Sequence, residues 1–362
     1  MSGHVLVAGA SGLVGTSVVD SFLADGWEVI AVSRRRPEIQ SLRSFQWIPA
    51  DLRDPAALGR HADHLARVSH IVFAALYEMP GLVSGWTSAD HGQINLDMLR
   101  NVIEPTTSVA EVTHVSLMQG GKAYGVHLHD VPIPARERMP RDDHPNFYWL
   151  QEDYLRSEAA RLGFGWTIYR PAGIFGATAG VAMNNLIPIG VYAAICKATG
   201  RPFAYPGGAA AIRQGCDAGL LARAILWGAT NRSANGEHFN VTNGEAFSWP
   251  DLWPALAESF GVPDPGHAVP TSLAEFLSAH EDVWREIVAA HHLRPMSLGE
   301  LLGESHHLAD FAMNYGQDQM PRPAVVSSVK IKRFGFNEVV ETDASARHWI
   351  KLMQQRRLLP FP

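Results

Sequence analysis

Residues 9–15 read Gly-Ala-Ser-Gly-Leu-Val-Gly, between a short apolar run, His4 to Ala8, and a segment with helical spacing, Leu13 to Leu23. A GxxGxxG heptad at a strand-to-helix junction constrains the fold more than any other feature of this chain. Gly9 and Gly12 permit a tight turn and close backbone approach to a pyrophosphate. Gly15 lets the helix pack closely on the strand, and the helix N-terminus offers aligned N–H groups to an anion. A second apolar run, Glu28 to Val32, completes a βαβ unit of the expected ~30 residues. Ser11, Leu13 and Val14, inside the turn, are expected to touch the same nucleotide.

Further strand candidates follow at Gln46–Ile48, His70–Ala75, Thr113–Leu117 and Trp166–Tyr169, separated by helical segments at Pro55–Ala66, Ala89–Ile103 and Tyr148–Leu162. Strands alternating with helices imply an α/β fold of the Rossmann type, a doubly wound parallel sheet. Beyond Arg170-Pro171 the pattern turns helical, at Asn185–Ala198, Asp217–Trp227, Trp249–Phe260, Ser272–Ala279 and Asp282–Ala290. His238–Val241 reads as a strand returning to the sheet. The expected organisation is a nucleotide-binding domain over residues 1–175. A mainly helical, substrate-binding C-terminal lobe follows over 176–362. The Pro-, Arg- and Asp-rich stretch His127 to His144 reads as a loop leading into the Tyr148 helix.

A net charge of −6 gives no support for nucleic-acid binding. The chain shows no basic n-region at its start and no apolar stretch of ~18 residues, so neither a signal peptide nor a membrane span is expected. Cys196 and Cys216 have no CxxC spacing and read as buried thiols in a reducing, cytoplasmic setting. The histidine groups His127, His129, Asp130 and His306, His307, Asp310 lack any HExxH or CxxC context, so no metal site is expected. A homodimer is compatible with the sequence.

The second strand ends Val32-Ser33-Arg34-Arg35-Arg36-Pro37. A carboxylate there would hold the ribose 2′-OH of NAD; guanidinium groups suit the 2′-phosphate of NADP(H). Arg34 and Arg35 are the expected phosphate ligands, with Ser33 as a further donor, while Arg36, before proline, is expected to turn away. Asp51 and Leu52, after the third strand, are placed to flank the adenine. Ala74, Pro171, Ile174 and Tyr148 complete the expected cofactor contacts.

In this fold the usual catalytic tyrosine is followed four residues later by lysine, yet Glu152 stands at that distance from Tyr148. The chain has only five lysines, and the first is Lys122, in Gln119-Gly120-Gly121-Lys122-Ala123-Tyr124-Gly125. Anchored on Tyr124-Gly125, the position of the usual catalytic serine falls on Gly120. A lysine on the loop after the fifth strand opens at the carboxyl edge of the sheet, where ligands bind. Lys122 is therefore read as a relocated cation that lowers the pKa of Tyr148.

Several stretches carry a resemblance: Gly120-Gly121-Lys122-Ala123-Tyr124, Asn146-Phe147-Tyr148-Trp149-Leu150-Gln151-Glu152-Asp153, Arg170-Pro171-Ala172-Gly173-Ile174-Phe175-Gly176, Val191 to Lys197 and Phe239 to Gly244. They resemble the progesterone 5β-reductase/iridoid synthase-like family of atypical extended short-chain reductases. By motif position the family's catalytic pair falls on Tyr148 and Lys122. The resemblance implies NADPH-dependent 1,4-reduction of the activated C=C bond of a small hydrophobic enone or enal. Gly121, Ala123 and Gly125 to Leu128 depart from the family motif, so its substrates do not carry over with its chemistry. Phe147, Trp149, Phe175, Met183, Leu186, Ile187 and Tyr192 are the candidates to line the substrate pocket, whereas Tyr205 and Trp227 read as core. A carbonyl (1,2-) reductase or epimerase acting on a hydrophobic ketone or aldehyde, and a non-catalytic NADPH-binding regulator, are the alternatives.

Overall fold

The computed structural model describes residues 3–79 and 89–362. Seven parallel strands form the main sheet: β1 (His4–Ala8), β2 (Glu28–Ser33), β3 (Gln46–Pro49), β4 (His70–Phe73), β5 (His114–Met118), β6 (Gly165–Pro171) and β9 (Glu237–Val241). Their spatial order is β3-β2-β1-β4-β5-β6-β9. Val5, Leu6, Val7 and Ala8 have no solvent exposure, because helices cover both faces of the sheet. Helices α1 (Leu13–Ala24) and α6 (Ala218–Thr230) pack Val18, Phe22, Leu220 and Ile225 on one face. On the other face α3 (Ala89–Thr107) and α4 (Phe147–Leu162) contribute Leu99, Val102 and Leu155. The order reverses at β1, so the crevice between the carboxyl ends of β1 and β4 is where a ligand is expected. The Rossmann-type doubly wound sheet and the helical C-terminal portion read from the sequence are both present.

The later part of the chain has its own core. Helix α5 (Leu186–Thr199) is apolar on every side and buried from Leu186 to Cys196. Around it pack α7 (Trp249–Phe260), α8 (Leu273–Ala279), α9 (Glu281–Ala290) and α10 (Thr342–Gln355). Phe203 stacks on Trp253, ring centroids 4.6 Å apart, at the centre of this cluster. Among the described residues no helix is long and apolar enough to cross a membrane.

One local expectation is corrected, and one pair of strands was not anticipated. Pro55–Ala66 is not one helix: Gly59–His61 is a 3-10 turn, and only Ala62–Leu65, α2, is α-helical. Gly59 within the segment weakens a continuous helix. A second, two-stranded sheet of β7 (Gly173–Phe175) and β8 (Gly215–Asp217) had no periodic signal, because three residues are too few to show alternation.

At the end of the sheet away from the crevice, His70 and His114 face each other in register across β4 and β5. Burial, and then His70, push the His114 imidazolium down to about 3. The depressed value makes the neutral ring the native form. The unfolded chain binds a proton below its ordinary pKa of ~6.5, so stability is full above that pH and declines as pH falls. From pH 7 to pH 5 this one group is expected to cost about 2 kcal/mol. Denaturant unfolding of His114→Leu at the two pH values should show that much less acid sensitivity than the parent chain; an unchanged difference would assign the sensitivity elsewhere.

Candidate active site

A cavity of about 440 Å³ opens at the crevice between β1 and β4. Its floor is the glycine turn. Gly9 has φ +80°, and a Cβ there would lie 2.6 Å from the backbone N of Ala75, so the turn and the β4 loop touch main chain to main chain. A Cβ on Gly15 would lie 2.1 Å from the Gly9 carbonyl. Gly15 thus packs the helix on the turn and does not itself line the cavity. Helix α1 begins at Leu13 with no side-chain cap and no acidic residue in its first turn. Its first N–H groups are free for an anion. Such a cradle fits a dinucleotide pyrophosphate.

The other cofactor candidates, Ser11 to Val14, Ser33 to Arg35, Asp51, Leu52, Ala74, Tyr148, Pro171 and Ile174, all line this cavity. Three of them have local duties as well. The Ser33 hydroxyl donates to the Arg35 carbonyl at 2.6 Å, which fixes the turn after β2. Arg35 donates to the carbonyls of Ala179 (3.1 Å) and Gly180 (3.4 Å), joining that turn to the lip of the C-terminal portion. Asp51 pairs with Arg53, Nη2 to Oδ2 2.6 Å, which holds its carboxyl down to about 2. Arg36 lies over the Phe45 ring at 5.0 Å, turned away from the cavity as its place before proline implied.

Of the substrate-pocket candidates, Phe147 and Met183 line the cavity. Trp149, Phe175, Leu186, Ile187 and Tyr192 do not, and that expectation is corrected. Phe175 packs against Phe247 and Trp249. Leu186 and Ile187 sit in the α5 core. The Tyr192 hydroxyl donates to the Ala204 carbonyl at 3.2 Å. Trp149 lies outside, with the Arg141 guanidinium 5.1 Å from its ring centroid. Tyr205 is core, as read, and Trp227 is partly buried against Phe239.

Tyr148 sits in the first turn of α4. The N-cap Asn146 accepts from the Tyr148 amide at 3.0 Å and donates through Nδ2 to the Lys122 carbonyl at 3.2 Å. One side chain thereby fixes the Lys122 turn against the tyrosine helix. Gly120 has φ −176°, which any residue adopts; what crowds a side chain there is the tyrosine itself. A Cβ at Gly120 would lie 3.2 Å from Tyr148 Oη. The tyrosine hydroxyl thus lies directly beside the position of the usual serine.

The electrostatics differ from the sequence expectation. Burial pushes the Tyr148 phenol above its ordinary range, the Glu78 charge adds to this, and Arg170 pulls the other way. Lys122 is not the group that counters the rise. Its Nζ lies 3.7 Å from Glu78 Oε1, and burial lowers its own pKa while Glu78 opposes that. At neutral pH the phenol therefore keeps its proton.

Glu152, at the place of the usual lysine, is buried, its side chain 2% exposed. It accepts from Gln119 Nε2 (2.9 Å) and Arg156 Nε (3.0 Å), and pairs with Arg141 (3.0 Å) and His238 (3.1 Å). Burial works against its charge, but His238, Gln119 and Arg141 outweigh burial and hold the carboxyl well below the usual carboxylate range. Gln119 in turn accepts from Arg170 Nε at 2.8 Å and lines the cavity. Glu152, Gln119 and Arg170 form a rigid polar layer under Tyr148. Sequence reasoning did not single out Gln119, Arg170 or Glu78 as site residues. The one available signal was their position at strand ends on the ligand edge.

A sequence model of the NAD dependent epimerase/dehydratase family matches residues 5–242. An (S)-8-oxocitronellyl enol synthase of Camptotheca acuminata is 31% identical over 98% of this chain and 93% of its own. A 3-oxo-Delta(4,5)-steroid 5-beta-reductase of Arabidopsis thaliana is 31% identical over 98% and 92%. Among solved structures, Thermus thermophilus UDP-glucose 4-epimerase superposes with a TM-score of 0.66 at 18% identity, covering 97% of this chain and 99% of that one. UDP-N-acetylglucosamine 4-epimerase of Bacillus cereus gives 0.65 at 15% identity, covering 98% and 97%. These two likenesses concern the fold.

Proposed function

We propose that this chain, which belongs to the progesterone 5β-reductase/iridoid synthase-like group of the NAD dependent epimerase/dehydratase family, is an oxidoreductase that reduces the activated C=C bond of enones or enals with NADPH. The pyrophosphate is held by the N-terminus of α1, and the 2′-phosphate by Arg34 and Arg35. The turn after β2 offers no carboxylate to a ribose 2′-OH. When bound, the nicotinamide supplies a hydride, and in this reading the β-carbon of the substrate receives it. The Tyr148 hydroxyl donates a hydrogen bond to the substrate carbonyl oxygen, where negative charge develops. The α-carbon takes its proton from water.

One observation carries this reading: Tyr148 is a buried phenol that retains its proton, with glycine at the serine position and a carboxylate at the lysine position. An enolate needs only a donor aimed at its oxygen. An alkoxide from 1,2-reduction needs a proton delivered to it, for which a phenol of raised pKa is a poor source. The names of the two relatives, a reductase of a 3-oxo-Delta(4,5) steroid and an enol synthase, support the same choice.

The test is turnover of NADPH and NADH with a panel of cyclic enones, enals and saturated ketones, with the products identified. Saturated carbonyl products, formed faster with NADPH, are expected. Allylic alcohols would assign the chain to carbonyl reduction, and a preference for NADH would remove the role given to Arg34 and Arg35.

A further inference from the structure

Glu78, on the loop after β4, is a second buried carboxylate beside the site, and nothing in the reduction described so far uses it. It lines the cavity together with Gln119, Phe147 and Tyr148. Its side chain is 4% exposed. Oε1 lies 3.7 Å from Lys122 Nζ, and Oε2 lies 3.3 Å from His91 Nε2. The same His91 nitrogen is 2.8 Å from the Tyr77 carbonyl. A carbonyl only accepts, so His91 carries its proton on Nε2, aimed between that carbonyl and the carboxylate.

The loop is held in place. Asn95, fully buried on α3, accepts from the Tyr77 amide (3.0 Å) and donates to the carbonyls of Tyr77 (3.0 Å) and His91 (2.9 Å). Gln151 of α4 donates to the Asn95 carbonyl at 2.8 Å, which couples this clamp to the tyrosine helix. Phe147 fills the space between, its ring centroid 5.7 Å from Lys122 Nζ and edge-on to His91 at 5.2 Å. Burying a carboxylate is costly unless a cation and hydrogen bonds match it. Here Lys122, on the turn after β5, and His91, on α3, supply both.

Resting on the reductase reading above, we propose that Glu78 is a positioning residue of the reaction: from the cavity wall it holds Lys122, which stands behind the lining, as an ammonium and cancels its charge, so that Tyr148 acts as a neutral hydrogen-bond donor. Among the described residues, the charged and titratable groups that face this set include Lys122 after β5, His91 on α3, Tyr148 on α4, Arg170 on β6 and His127 beyond the Lys122 turn. Two consequences follow from charge alone. With Lys122 removed, the Glu78 carboxylate stands uncompensated next to the place where the enolate charge develops. With Glu78 neutralised, Lys122 loses the charge that favours its protonated form and Tyr148 loses the charge that opposes its ionisation. Both effects of neutralising Glu78 lower the pH at which the donor set fails.

The variants are Glu78→Gln, Lys122→Ala and the double variant, all with NADPH and an enone that the parent chain reduces. Glu78→Gln should move the alkaline limb of the kcat profile down by about one pH unit or more. Lys122→Ala should lower kcat by ~100-fold, and adding Glu78→Gln should recover at least ~10-fold of that loss, which a merely structural role for Glu78 would not produce. An unmoved alkaline limb, or a double variant no faster than Lys122→Ala, overturns the proposal. The same cycle in thermal unfolding, without cofactor or substrate, separates the two readings. Glu78→Gln should raise the melting midpoint of Lys122→Ala by ~2 °C or more. If that coupling is present while no enone is reduced by the parent chain, the reductase reading fails and the ion pair stands. If the coupling is absent, the inference about Glu78 fails whatever the substrate.

Discussion

Replacing Tyr148 by phenylalanine is expected to lower kcat for enone reduction by about 10²–10³, corresponding to roughly 2.7–4 kcal/mol of lost transition-state stabilisation. The size follows from the site's composition. Gly120 brings no hydroxyl, and Tyr148 Oη is the donor packed directly above it. With Tyr148 as the oxyanion donor of this reading, the loss is not offset by a serine hydroxyl beside it. The loss should fall on kcat more than on KM, because the hydrogen bond strengthens as charge moves onto the substrate oxygen. NADPH affinity should change little, since the glycine turn and the two arginines provide the anion contacts in this reading. Steady-state kinetics together with equilibrium NADPH titration checks both parts. A Tyr148→Phe variant with parental kcat would remove Tyr148 from the chemistry and leave Gln119, on the same cavity wall, as the donor to examine.

The parts of this molecule that sequence reading reached are those where the residue type is demanded locally. The strands β1, β2, β4 and β5 are continuous apolar runs because helices cover both of their faces, and such runs stand out without knowledge of the partners. Gly9 is forced by its positive φ and by the backbone of Ala75 against it. The parts that stayed hidden depend on contacts across long separations. Glu78 meets Lys122 only because β4 and β5 are neighbours, and Gln119 meets Glu152 only where the β5 end faces α4. Apolar residues are ambiguous for another reason. Phe147 and Phe175 are chemically alike, and only the third dimension puts the first on the cavity wall and the second in the core. The lowering of the Tyr148 pKa expected from Lys122 fails for the same reason. An anion beside a cation offsets the cation's effect on a phenol, and nothing in the order of residues places Glu78 beside Lys122.

Glu152→Lys, which returns to position 152 the residue type of the ordinary tyrosine-plus-four pattern, is expected to unfold or strongly destabilise the chain and not to improve catalysis. In the parent structure the carboxylate is matched by Arg141, Arg156 and His238 within 3.1 Å and by Arg170 at 4.0 Å. Removing one partner of a buried ion pair costs roughly 3–5 kcal/mol. A lysine goes further, because its ammonium would be a like charge among three guanidinium groups. Glu152→Gln keeps the shape and some of the hydrogen bonds, so it should lose less than the lysine variant. Urea unfolding monitored by tryptophan fluorescence orders the three chains: parent, then Gln, then Lys. The catalytic consequence follows from Gln119. Its Nε2 donates to Glu152 and its Oε1 accepts from Arg170, so loss of the carboxylate frees the amide that lies under Tyr148. The Gln variant, folded but with that layer loosened, should lose kcat while keeping its NADPH affinity. If Glu152→Lys were as stable as the parent, the carboxylate would not be the centre of this layer. The lysine at that place in other chains would then be an interchangeable solution, not one that this fold has replaced.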